Sequence, residues 1–128
     1  MLNGKAVLVV DDEAGIRLLA TRALIAAGCR AYVAEDGNKA IRILDRVHID
    51  LALVDIIMPN KEGIETIMEM RLRWPEMKII SMSGGGYIHG NEYLKLSEIV
   101  GADKTVGKPL RFKKLIWTIE SLLAPKAA

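Results

Sequence analysis

Residues 7–13 read VLVVDDE. A branched, apolar run rises to Val10 and stops on two adjacent carboxylates, Asp11 and Asp12. Side chains alternate faces along a strand, so neighbouring acids cannot both decorate one solvated face. The run itself lacks polar alternation, as expected of a strand in a parallel sheet covered on both sides. Charge therefore collects where a buried strand ends.

Four more short runs repeat the pattern: CRAYVA at 29–34, DLALV at 50–54, MKIISM at 77–82 and KTV at 104–106. Helix-length stretches separate them. Residues 13–27 carry Ile16, Leu19, Ala20, Ala23, Leu24 and Ala27 at helical spacing, and Gly28 supplies the stop. Asp36 is placed to cap a second helix whose inner face would hold Ala40, Ile41, Leu44 and Val47. A third helix is expected at 63–73, with Ile64, Ile67 and Met68 facing in and Pro75 just beyond its end. A fourth spans roughly 91–100 before Gly101. A fifth follows Pro109 and carries Phe112, Leu115, Ile119 and Leu122 inward. Strands alternating with helices predict βαβ units and a doubly wound α/β fold around a parallel sheet.

Ligands of such sheets bind beyond the carboxyl ends of the strands. Asp11, Asp12 and Glu13 follow the first strand, Asp55 the third, Ser83 the fourth, and Lys108 with Pro109 the fifth. Converging carboxylates repel unless a cation offsets them. A hard divalent ion suits oxygen donors, and Mg2+ fits best because it keeps waters for an incoming phosphate. With Lys108 and Ser83 opposite, this is an arrangement for phosphoryl transfer.

Composition limits the alternatives. The 128 residues are 51% hydrophobic and 27% charged, enough for one cored domain, expected over 1–124 with a short tail at 125–128. The net charge of +2 is small and the basic residues are scattered, which disfavours nucleic-acid binding. The single cysteine, Cys29, excludes an internal disulfide, and its position entering a strand suggests a small buried hydrophobe. No apolar run reaches the length of a membrane span, so a cytoplasmic location is the expectation.

The set VLVVDDE, LALVDIIMP, ISMSG and GADKTVGKP, in this order and over nearly the whole chain, resembles the receiver domain of two-component response regulators, the CheY-like family. The resemblance implies a flavodoxin-like (βα)5 fold with strand order 2-1-3-4-5. It implies that Asp55 accepts a phosphoryl group from a phosphohistidine. Asp12, Asp55 and the backbone carbonyl of Ile57 would bind Mg2+, with Asp11 acting through water. Lys108 would pair with a phosphoryl oxygen, Ser83 would hydrogen-bond it, and the bond preceding Pro109 would be cis. The partners implied are a histidine kinase or phosphotransfer protein and a downstream protein target, with no nucleic acid and no membrane; weak dimerisation is left open. Such a chain is a self-phosphorylating and self-dephosphorylating switch, not a turnover enzyme. The alternatives are a receiver fragment of a longer regulator or hybrid kinase, and a Mg2+-dependent phosphohydrolase. The hydrolase is disfavoured by apolar Ile57, two positions beyond Asp55, where a second acid is commonly needed.

Two features depart from the family pattern. Receiver domains usually carry an aromatic residue three positions before the lysine, where this chain has Thr105. The loop after Ser83, GGGYIHGNEY, is longer than the common form, and Gly84, Gly85 and Gly86 with Tyr87 or Tyr93 are expected to carry the conformational signal instead. Trp117 falls off the inward stripe of its helix, and two placements stay open: the partner-binding face that the resemblance implies, with Tyr93 and Lys114, or local packing beside the fourth helix. Met58, Met68, Met70, Met77 and Met82 read as core fillers, and His48 and His89 as surface residues.

Overall fold

The computed structural model describes residues 2–56, 63–83, 95–98 and 100–125. Inside its sheet lies β1 (Ala6–Val10), whose five residues are all buried. It is flanked by β2 (Arg30–Ala34) and β3 (Leu51–Asp55), with β4 (Lys78–Ser83) and β5 (Lys104–Gly107) beyond. All pairings are parallel and the order is β2-β1-β3-β4-β5. The connecting helices are α1 (Ala14–Ala26), α2 (Gly37–Leu44), α3 (Gly63–Arg73) and, after β5, α4 (Phe112–Leu123). Residues 95–98, between β4 and β5, are also helical. This is the doubly wound, flavodoxin-like arrangement.

Strand alternation divides the core into two halves. Leu8, Val10, Ala52, Val54 and Ile79 face Ala40, Ile41 and Leu44 of α2 and Ile64, Ile67 and Met70 of α3. Val7, Val9, Leu51, Leu53, Ile80 and Met82 face Ala20 and Leu24 of α1 and Leu115 and Ile119 of α4. Each fully buried Leu or Ile contributes about 1.5–3 kcal/mol relative to exposure, so neither face can be left bare.

Helix ends follow local chemistry. Gly28 sits at φ +97°, donating to the Ile25 carbonyl at 3.0 Å while Cys29 donates to that of Leu24 at 2.9 Å. These two bonds form a Schellman stop. The Asp36 carboxylate accepts the Lys39 N–H at 2.9 Å, the predicted cap. At the amino ends of β4 and β5, the Arg71 guanidinium donates to the carbonyls of Gly101, Pro75 and Met77 and to the Asp103 carboxylate. It thereby ties α3 to both strands.

Two expected inward residues point out. Leu19 is 50% exposed and Met68 52% exposed, while Met70 is fully buried. Helix α1 is apolar nearly all round, and α3 carries methionines on two faces, so periodicity alone left the phase open. Met77 and Met82 are buried, Cys29 is buried and His48 is exposed. Burial, then the charges of Asp50 and Glu120, push the Cys29 thiol pKa up, away from reactivity. Met58, His89, the loop residues 84–90 and the start of the fourth predicted helix at 91–94 lie outside the described residues. Among the described residues no helix is long and apolar enough to cross a membrane.

Candidate functional site

Register brings the acids together. Val10 pairs with Val54, so one residue further along stand Asp11 and Asp55, about one strand spacing apart. The hydrogen-bond ladder extends past each strand to hold this rim. Asp11 N–H donates to the Ala34 carbonyl at 3.1 Å, Ile56 N–H to that of Met82 at 2.9 Å, and Lys108 N–H to that of Ser83 at 2.9 Å. Site residues from four strands are thus fixed by backbone, not only by side-chain contacts. The Lys108–Pro109 bond is cis.

The side chains then meet. Lys108 Nζ lies 2.7 Å from Asp11 Oδ2, 3.2 Å from Asp55 Oδ2 and 3.7 Å from Glu13 Oε1. Asp11 and Asp55 are buried, whereas Asp12 is exposed. Burial by itself would lower the Lys108 pKa. The hydrogen bond to Asp11 and the charge of Asp55 outweigh it, so the net shift is upward and the ammonium persists at neutral pH. Asp11, Asp12 and Asp55 form a carboxylate cluster, one oxygen of each within 4.8 Å of the others, with the Lys108 ammonium against Asp11 and Asp55. Among the described residues these hard oxygen donors outnumber the ammonium, which suits a divalent cation, with solvent-facing Asp12 open to it. Ser83 Oγ is buried and makes no hydrogen bond among the described residues. A buried hydroxyl in that condition costs free energy unless an incoming group satisfies it.

Supporting residues appear that the sequence did not single out. Asp11 Oδ1 accepts the Glu13 N–H at 2.9 Å, and the Arg17 guanidinium donates to the Asp11 carbonyl at 2.8 Å. The turn into α1 is thereby fixed around Asp11. Gly63 backs directly onto the phosphoacceptor candidate: a Cβ there would lie 2.2 Å from the Asp55 carbonyl oxygen and 2.3 Å from Ile56 Cα. Only glycine fits such a backbone approach. The glycine ending DIIMPNKEG carries that signal in the sequence; Arg17 has none, because its partner is a backbone atom six residues away. The Ile57 carbonyl, Gly84, Gly85, Gly86, Tyr87 and Tyr93 lie outside the described residues. Thr105 is half-buried and opposite Ser81 in the register. Trp117 is 67% exposed beside a groove of about 440 Å³ between β5 and α4.

A family model described as response regulator receiver domain matches residues 7–120. The chain belongs to the response regulator receiver family. Among curated relatives, the receiver is 32% identical over 117 residues to the transcriptional regulatory protein CpxR of Klebsiella pneumoniae, covering 91% of the chain and 48% of CpxR. It thus spans about half the length of that relative. It is 28% identical over 127 residues to the sporulation initiation phosphotransferase F of Bacillus subtilis, with 99% of both chains covered. Among solved structures, it superposes on the response regulator TrrA of Thermotoga maritima, in complex with Mg(2+)-BeF, with TM-score 0.81 and 34% identity. That match covers 93% of this receiver and 99% of TrrA.

Proposed function

We propose that this receiver takes a phosphoryl group onto Asp55 from a phosphohistidine of a partner kinase or phosphotransfer protein, and passes the signal on by protein contact. The observation that carries the reading is Lys108 Nζ bridging Asp11 at 2.7 Å and Asp55 at 3.2 Å beside the unsatisfied hydroxyl of Ser83. In the transfer an Asp55 carboxylate oxygen attacks phosphorus, the P–N bond to the histidine breaks, and an acyl phosphate forms. Lys108 is within reach of Asp55 and can follow a phosphoryl oxygen. Ser83 can donate its hydroxyl to another, gaining a partner that it lacks among the described residues. Asp12 and Asp55 would hold Mg2+, joined by the Ile57 carbonyl and with Asp11 acting through water, and the ion would supply neutralisation of phosphoryl charge. The Mg(2+)-BeF complex of TrrA supports that assignment by analogy.

Docking and output would use different faces. Helix α1 starts at the acids and exposes Leu18, Leu19 and Ile25, a surface suited to the phosphodonor protein. The groove between β5 and α4, with Trp117, Lys104 and Lys114 on its walls, suits a downstream target.

The test is direct. Incubated with Mg2+ and a small phosphodonor, the protein is expected to gain one acid-stable, base-labile phosphoryl group, and Asp55→Asn to gain none. A gain that survives Asp55→Asn, or continuous phosphate release from small esters, overturns the reading.

A further inference from the structure

The position that holds an aromatic ring in most receivers is Thr105 here, and its cross-strand neighbour is polar. Thr105 pairs in register with Ser81 of β4. The Ser81 and Ser97 hydroxyl oxygens lie 2.7 Å apart, and both residues are fully buried. Ser81 Oγ is also 3.5 Å from the Lys104 carbonyl. Strand alternation puts Ser81 on the same face of β4 as Ser83, which lies two residues further toward the rim and whose buried hydroxyl has no hydrogen-bond partner among the described residues.

Packing alone does not explain this pair. Alanine would occupy either position without the cost of burying a hydroxyl. A hydrogen bond adds direction: it weakens steeply with distance and angle, so it resists the sliding that an apolar contact permits. The pair links β4 to residues 95–98, a helical stretch beyond residues 84–94.

We propose that the Ser81–Ser97 hydrogen bond is the contact through which β4 positions the helix at 95–98, in place of a rotating ring. When Ser83 turns to a phosphoryl group on Asp55, the adjustment at the end of β4 reaches the helix through this bond. Ser81 and Ser97 are positioning residues; neither touches the reacting atoms. The inference rests on the Asp55 reading above.

Amide hydrogen exchange at residues 95–100, with and without Mg2+ and beryllofluoride, tests it in wild type, S81A, S97A and the double variant. Wild type is expected to change on adding the mimic, and each alanine variant to lose that response by about fivefold or more, the lower end of typical site–site couplings. In that response the double variant should be no worse than either single one, because the Ser81–Ser97 bond is lost in each case. Phosphorylation of Asp55 by a small donor should stay close to wild type in all of them. If alanine at these buried sites prevents folding, S97T and S97V make the same comparison at nearly equal shape, S97T responding and S97V not. Folded variants that respond as wild type overturn the proposal alone. A wild-type protein that takes neither phosphoryl group nor mimic overturns the Asp55 reading and this inference with it.

Discussion

Asp11 and Asp12 are neighbours with identical chemistry and opposite surroundings. Asp11 is buried against Lys108, and its second oxygen is taken by the Glu13 N–H. Asp12 faces solvent. If Asp12 is a direct Mg2+ ligand, Asp12→Ala should leave the melting temperature in metal-free buffer close to wild type. It should abolish the rise that excess Mg2+ produces, as differential scanning calorimetry would measure; an undiminished rise would remove Asp12 from the metal site. Gly63 makes a second residue-scale case. A Cβ would collide with backbone atoms of Asp55 and Ile56, which cannot rotate away as a side chain can. Gly63→Ala is therefore expected to cost about 3 kcal/mol in urea denaturation, the upper part of the overpacking range. It should also slow phosphorylation of Asp55, and a loss of stability with unchanged phosphorylation would show that the support is structural only.

At the scale of elements, the amino end of β3 is joined to β1 by Asp50. Its carboxylate accepts the Ala6 N–H at 2.8 Å, and its own N–H donates to the Ala6 carbonyl at 2.9 Å. Burial works to raise the Asp50 pKa, but the Ala6 N–H, His48 and Lys5 together carry it below the ordinary carboxylate value. A depressed folded-state pKa means a contribution to stability that is complete above the unfolded-state value and is lost as pH falls through the lower folded value. Asp50→Asn should thus be less stable than wild type at neutral pH, and the gap should narrow in acid; chemical denaturation at a series of pH values measures it. A gap independent of pH would show that the carboxylate charge plays no part. The elements themselves were legible because their determinants are local. Asp36 and Gly28 mark helix ends by bonds to residues a few positions away. Helix phase was less so. In α3 the buried set is Gly63, Ile64, Thr66, Ile67 and Met70, centred one step from the face that would bury Met68. Which of two apolar faces turns inward depends on the sheet it meets, not on the helix.

For the molecule as a whole, the apolar residues that the core does not use are informative. Leu18, Leu19 and Ile25 leave α1 apolar toward solvent, beginning one turn from the acids. Leu19→Glu should leave stability and phosphorylation by a small donor unchanged. Transfer from the partner phosphohistidine protein should slow by about tenfold or more, the effect of about 1.4 kcal/mol at an interface. Equal slowing with both donors would place the defect in the site and remove α1 from docking. The sequence alone determined the alternation of strands and helices, the parallel sheet and the residues standing at each carboxyl end, because strand and helix periods are properties of the local backbone. It also pointed to the meeting of Asp55 and Lys108, 53 positions apart, once strand ends were taken to share one rim. Tertiary structure decided which acid Lys108 approaches most closely, why residue 63 lacks a side chain, and that Ser81 finds Ser97. Those outcomes depend on register and on the through-space approach of distant segments, for which no local pattern of residues is a sufficient cause.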